Sequence, residues 1–241
     1  MNESLLTFPK GGIHPPDEKE LSQDCAVEVM PVPEEVEILL HQHFGAPCNS
    51  LVKKKDLIEE GDLIGEVEKG LGANLHASVS GTVKGIGFSA HPLSVKAPSI
   101  LLETNPDAAP KGYSALPWED LSSQQLLEKI KAAGIVGIGG AGFPTHVKLS
   151  PPPEAKVDTL ILNGAECEPY LTTDQRLMVE HPEQVIEGAR IMLRILGIKE
   201  CHVGIESNKP DAIEAMKKAV SGNPDNGARI LIDPVIVKYP Q

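Results

Sequence analysis

Two kinds of hydrophobic pattern divide the chain. Between Leu51 and Glu103 the apolar residues come in short runs: Leu51-Val52, Leu57-Ile58, Leu63-Ile64-Gly65-Glu66-Val67, His76–Val83 and Ile100-Leu101-Leu102. Turn formers such as Glu60-Gly61-Asp62 separate them. Short runs bounded by Gly, Asp and Asn are strand signals, and their regular spacing predicts a small antiparallel barrel or sandwich. After Ser122 the period changes. Leu126, Leu127 and Ile130 make an apolar stripe at helical spacing, with Ser122 as N-cap, Gln125 completing a capping box and Gly134 at the C′ position. Val157–Leu162, with Leu160-Ile161-Leu162 as its apolar run just before Asn163, is read as a strand. Pro182–Leu196 carries Val185, Ile186, Ala189, Met192, Leu193 and Leu196 on a helical period closed by Gly197. His202–Ile205 reads as a strand, Asn208-Lys209-Pro210 opens a helix with Ile213, Met216 and Val220 on one face, and Ala228–Ile232 reads as a strand. This β-α-β-α-β order predicts a parallel sheet with right-handed crossovers. Ligands of such sheets collect beyond the carboxyl ends of the strands. Here those ends are Asn163–Glu168 and Glu206–Asn208.

The expected organisation is an extended arm over residues 1–30, a barrel-sandwich-like β domain over 31–107, a linker over 108–120 and an α/β domain over 121–241. Aromatics make up only 3% of the chain, so both cores must be aliphatic, and the formal net charge of -12 argues against nucleic acid as a partner. Met1–Lys10 lacks the pattern of a signal peptide, and no run of apolar residues is long enough to predict a transmembrane segment. Cys25, Cys48, Cys167 and Cys201 are scattered without C-x-x-C spacing, which predicts free thiols. The eight histidines show no metal-ligand spacing, His41 and His43 included, so no metal site is assigned.

Two loops carry candidate chemistry. Gly137-Ile138-Gly139-Gly140-Ala141-Gly142 fits G-x-G-x-x-G, yet it follows a helix rather than a full strand and runs into Pro144, so it is not the usual dinucleotide turn. Five glycines between Gly134 and Gly142 let the backbone approach a planar or phosphorylated ligand, and Lys148 supplies a positive charge. A tightly turning linker with a solvated lysine fits the same residues. Asn163-Gly164-Ala165-Glu166-Cys167-Glu168 sits at the carboxyl end of the strongest strand. Its carboxylates suit ribose hydroxyls or a carboxamide, and Asn163 can donate and accept. The competing reading is a pair of solvated acids before a helix-capping Asp174. Cys167, flanked by acids, is a poor candidate for a thiolate nucleophile.

The string LVKKKDLIEEGDLIGEVEKG (Leu51–Gly70) resembles the barrel-sandwich fold of lipoyl and biotinyl carriers, although Lys69 lacks a carrier motif and reads as a surface lysine. GIGGAGFPTHVKL (Gly137–Leu149) resembles the flavin loop of the NADH-binding flavoprotein subunit of respiratory complex I, and LNGAECEPYLTTD (Leu162–Asp174) resembles its partner loop. Together with FPKGGIHPP (Phe8–Pro16), HQHFGAPCNSLVKKKD (His41–Asp56) and HASVSGTVKGI (His76–Ile86), the chain resembles the RnfC family of Rnf electron-transport complexes over nearly its whole length. The resemblance implies a Rossmann-like flavin- and NADH-binding domain of the complex I type, preceded by a small β barrel-sandwich-like domain. It implies an NAD(H)-dependent oxidoreductase and ion-translocase component that moves electrons between NAD(H) and ferredoxin through FMN and iron–sulfur centres. The other Rnf subunits are the implied partners, and the implied location is peripheral, on the cytoplasmic face of the membrane. Carried over by residue, Gly137, Gly139, Gly140, Gly142 and Lys148 would hold the flavin phosphate and ribityl chain, and Phe143 would stack on the nicotinamide nucleotide. Asn163 would contact flavin, Glu166 and Glu168 the nucleotide side, and Glu206, in GIESNKP, joins them. Members of this family continue into a β-grasp-like domain and a cluster-binding cysteine region, so the chain is expected to be an N-terminal fragment without iron–sulfur clusters. Two alternatives stand beside this: a non-catalytic docking scaffold of the same complex, and a cobalamin-reductase-like flavoprotein, which shares both loops.

Overall fold

A computed structural model describes residues 11–222 and 227–239. The part of the expected arm over residues 1–10 lies outside the described residues. The rest falls into two compact units, one of residues 30–152 and one in which residues 11–29 join residues 153–239.

The first unit is built from two antiparallel sheets. Strands β1 (Glu35–Leu39), β2 (Asn49–Ser50), β3 (Leu57–Ile58), β4 (Leu63–Glu66), β5 (Leu75–His76), β6 (Gly81–His91) and β7 (Ser94–Thr104) form sheets of order β1-β7-β6-β3 and β2-β4-β5. Ile38, Leu40, Ile58, Ile64, Val83, Ile100 and Leu102 join in one aliphatic core. Each such side chain, withdrawn from water, contributes roughly 1.5–3 kcal/mol. This is the barrel-sandwich architecture expected, with three differences, the first being that the run His76–Val83 is split, β5 ending at His76 and β6 beginning at Gly81. The run at Leu51-Val52 is not a strand; the pairing falls two residues earlier, at Asn49–Ser50 against Gly65–Glu66. The strands from Gly81 also run on as a long hairpin, turning between His91 and Ser94. Its outer half extends past the core and leaves Phe88, Leu93 and Val95 exposed, so no buried face imposes an apolar alternation there. Lys69 is exposed, as expected of a surface lysine.

Helices α1 (Ser123–Ala132) and α2 (Thr145–Lys148) belong to this unit, although their sequence pattern groups them with the α/β region. Both bonds of the Ser122–Gln125 capping box are made. Gly134 follows in the left-handed conformation at φ +67°, and a Cβ there would stand 2.1 Å from the Asn74 carbonyl oxygen. Only glycine lets the end of α1 lie against that carbonyl.

The second unit is a parallel sheet of β8 (Thr159–Gly164), β9 (Glu200–Glu206) and β10 (Arg229–Val235), in the order β10-β9-β8. Helices α3 (Thr173–Glu180), α4 (Pro182–Leu196) and α5 (Pro210–Ser221) supply Met178, Ile186, Leu193 and Met216 to a core shared with Cys201, Val203 and Ile205 of β9. The alternate residues Glu200, His202 and Gly204 therefore face away from that core. The α/β order expected from the sequence is present, and α4 ends at Gly197 in the left-handed region, φ +68°. Helix α3 has no counterpart in the hydrophobic pattern. It buries only Gln175 and Met178, too few apolar residues to show a period, and carries an Arg176–Glu180 ion pair at i,i+4.

Candidate functional site

The glycine loop lies in the first unit. Gly137 donates its N–H to the Phe143 carbonyl at 3.0 Å, Thr145 donates to Ile135 at 2.9 Å, and Val136 bridges Pro144. The loop is thus a closed hairpin-like turn and not a strand-to-helix turn. Its glycines do different things. Gly142, at φ +63°, presses on the barrel: a Cβ there would stand 3.1 Å from His43 Cα, and its carbonyl accepts the Phe44 N–H at 3.0 Å. Gly139, at φ +86°, and Gly140 face open space. At Gly137 an added Cβ would meet Lys148 Nζ at 2.7 Å, so the ammonium rests against the loop backbone. Among the described residues no carboxylate pairs with that ammonium.

Beside the loop runs a groove of about 690 Å³. His41, Phe44, His91 and Leu93 line its barrel side, opposite Val136–Gly142. Phe143 stacks on Phe44 with ring centroids 5.5 Å apart, and His41 stacks on His91 at 5.3 Å. The sequence does not place Phe44, His41 or His91 beside the glycine loop, because the barrel pattern gives no hint of which turn meets the glycines. Burial, with the Lys131 charge added, holds His146 below the ordinary histidine range.

The acidic loop lies in the second unit, where β8 ends. Asn163 Oδ1 accepts the Ala165 N–H at 3.0 Å and starts the turn. Glu166 is only 4% exposed. Its Oε1 accepts from the Asp174 N–H at 2.8 Å and from Thr173 Oγ1 at 3.1 Å, at the first turn of α3. Its Oε2 is buried without a hydrogen-bond partner among the described residues. Glu168 is exposed and accepts from the Cys167 thiol at 3.4 Å. Burial and the Glu168 carboxylate raise that thiol above its ordinary range, which disfavours a thiolate. Desolvation and the Glu166 charge likewise raise Asp174.

Glu206, at the end of β9, is fully buried and ion-paired with Lys209, which also donates to Asn208 Oδ1 at 3.2 Å. Lys209 carries one sequence signal, its place just before Pro210 at the start of α5. A further residue carries none. Lys19, from the arm, is 4% exposed and donates to the carbonyls of Glu166, Glu168 and Leu171 at 2.7, 3.1 and 2.7 Å. Within their own units, then, Gly137, Gly139, Gly140, Gly142, Phe143 and Lys148 come together, as do Asn163, Glu166, Glu168 and Glu206 at the carboxyl edge of the sheet.

Two family models match the chain: one described as RnfC Barrel sandwich hybrid domain over residues 6–107, the other as Nuo51 FMN-binding domain over residues 130–241. The C subunit of the proton-translocating ferredoxin:NAD(+) oxidoreductase complex of Clostridium ljungdahlii is 44% identical over 241 residues, which span 98% of this chain and 51% of that protein. The Na(+)-translocating counterpart from Acetobacterium woodii is 41% identical, over 100% of this chain and 54% of that protein. The C subunit of the ion-translocating oxidoreductase complex of Rhodobacter capsulatus is 44% identical, over 87% of this chain and 41% of that protein. The chain spans about half the length of the first two of these relatives and less of the third.

Proposed function

The chain belongs to the RnfC family of ion-translocating ferredoxin:NAD(+) oxidoreductase complexes, and from that membership we propose that it is the NAD(H)- and FMN-binding part of such a subunit. The observation that carries the reading is the glycine loop. Gly139 and Gly140 offer bare backbone to open space, and beside them the Lys148 ammonium rests on Gly137 with no carboxylate among the described residues to neutralise it. Backbone without Cβ atoms next to an uncompensated cation suits a phosphate monoester on a flat ring system.

In this reading Gly137, Gly139, Gly140, Gly142 and Lys148 hold the phosphate and ribityl chain. Phe143, backed by Phe44, presents a ring face to the nicotinamide nucleotide. Asn163 keeps its amide N–H groups for the flavin, since its carbonyl oxygen is used in the turn. Glu166 Oε2 and the Glu168 carboxylate accept from nucleotide hydroxyl or amide groups. For Glu166 this supplies the partner that its second oxygen lacks. Glu206, buried with Lys209, contributes as a fixed charge pair behind the loop. Bound FMN supplies chemistry that no side chain here has: it takes two electrons as hydride and returns them one at a time.

Within the whole complex the further proposals are electron transfer between NAD(H) and ferredoxin through iron–sulfur centres, contact with the other subunits, and attachment to the cytoplasmic membrane face. No helix among the described residues is long and apolar enough to cross a membrane. The proposed attachment is peripheral and runs through partners. The test is a titration of the chain with FMN followed by flavin fluorescence. Saturable quenching is expected, weakened roughly tenfold by Lys148→Ala, in line with loss of one charge-assisted hydrogen bond. Quenching that never saturates overturns the reading.

A further inference from the structure

We infer that Lys19 is a positioning residue for the nucleotide side of the site: its ammonium holds the acidic loop in the shape that presents Glu166 and Glu168. This role rests on the proposed reading of residues 163–168 as that side. Lysine is rarely buried without compensation. Here the three N–H donors of one ammonium meet three carbonyl oxygens, those of Glu166, Glu168 and Leu171. Three carbonyls drawn to one point repel one another unless a cation sits among them. The loop therefore closes around Lys19 and has no reason to close without it.

The neighbouring bonds point the same way. Tyr170 has φ +69°, a left-handed conformation that residues other than glycine seldom adopt. The arm fastens it on both sides: Asp17 O accepts its N–H at 2.8 Å, and Ser22 Oγ donates to its carbonyl at 3.0 Å. Asp17 Oδ2 also accepts from Asn208 Nδ2 at 3.0 Å, beside Lys209. The arm thus ties together the loops that leave β8 and β9. Glu166 is fixed twice in consequence, by its carbonyl on Lys19 and by its carboxylate Oε1 on α3. That double hold fixes the carboxylate and leaves the remaining oxygen without a partner among the described residues, and preorganisation of this kind is what a weakly contacting ligand depends on.

The experiment compares wild type with Lys19→Met, which keeps the apolar stem and removes the ammonium. The full chain is loaded with FMN, NADH affinity is read by nucleotide fluorescence, FMN affinity by flavin fluorescence, and folding by thermal unfolding. Lys19→Met is expected to weaken NADH binding about tenfold while FMN affinity, set mainly by the glycine loop, moves less than about threefold. A purely structural lysine would lower the unfolding temperature and leave the NADH affinity of the folded protein unchanged; that result overturns the inference. Failure of wild type to bind NADH instead overturns the nucleotide reading itself, and with it this role for Lys19. If Lys19→Met does not fold, Lys19→Gln, which keeps two N–H donors, gives the same comparison.

Discussion

The Glu166 carboxylate accepts the Asp174 backbone N–H at 2.8 Å, so the acid just beyond β8 also caps the helix that follows it. An anion at a helix N-terminus satisfies an orphan donor and meets the positive end of the helix dipole. One oxygen of Glu166 is spent on the fold while the other is kept back. Glu166→Ala is therefore expected to cost about 1–2 kcal/mol, as loss of a capping group does, and to lower NADH affinity as well. Glu166→Gln keeps an acceptor and most of that stability but loses the charge. Urea unfolding run alongside nucleotide titration separates the two effects, and equal stability loss in both variants would refute the capping role.

Gly139 and Gly142 both adopt positive φ, yet their replacement is expected to fail differently. Alanine at Gly142 meets His43 Cα at 3.1 Å and the Gln42 carbonyl at 3.2 Å, so backbone must move and the first unit loses stability. Gly139→Ala meets nothing within the protein and costs about 1 kcal/mol in backbone conformation alone. Its larger effect should fall on FMN affinity, because the added methyl projects where the cofactor would approach. Thermal unfolding and flavin titration of the two variants distinguish these outcomes.

His202 bridges two carboxylates, Glu200 at 3.0 Å and Asp233 at 2.6 Å, and these hydrogen bonds raise it above its ordinary value of 6.5. The folded protein thus holds this proton more tightly than the unfolded chain does. The stability it contributes is complete below about pH 6.5 and is lost as pH rises through the higher folded value. In His202→Asn the slope of stability against pH across that window should flatten. An NMR titration of the His202 ring that gives a midpoint at or below about 6.5 would contradict the assignment.

The four thiols should react with iodoacetamide at neutral pH in an order set by the fold. Cys25 is exposed and reacts first. Cys167, raised by burial and by Glu168, follows slowly. Cys48 and Cys201 are buried and pushed up to about 11, so they label only on unfolding. Peptide mass spectrometry over a time course reads the order directly.

What is legible in the sequence is local. Ser122, Gln125 and Gly134 announce α1 through caps that act over a single turn, and Gly197 ends α4 for the same reason. Val157–Leu162 locates β8 and so the loop beyond it. What stays hidden depends on partners far along the chain. Lys19 lies 147 residues from Glu166, and nothing near it in sequence distinguishes it from a solvated lysine. The burial of Glu206 leaves no trace either, because no charge pattern around Lys209 marks the two as a buried pair. The hairpin of β6 and β7 outruns its sequence signal because its outer half has no core to face, and α3 has none because two buried residues make no period.

The bonds from Lys19 to the acidic loop also set an order of assembly. On the ribosome the arm is made before either core, and the carbonyls that receive Lys19 are made 147–152 residues later. At about 5–20 residues per second the arm waits roughly 7–30 s for its seat. Through that interval Asp17, Lys19 and Ser22 are in water, and the barrel between them and β8 can close without them. A segment made early is thus among the last to dock. A series of arrested nascent chains should show residues 17–22 open to protease until the second unit has emerged.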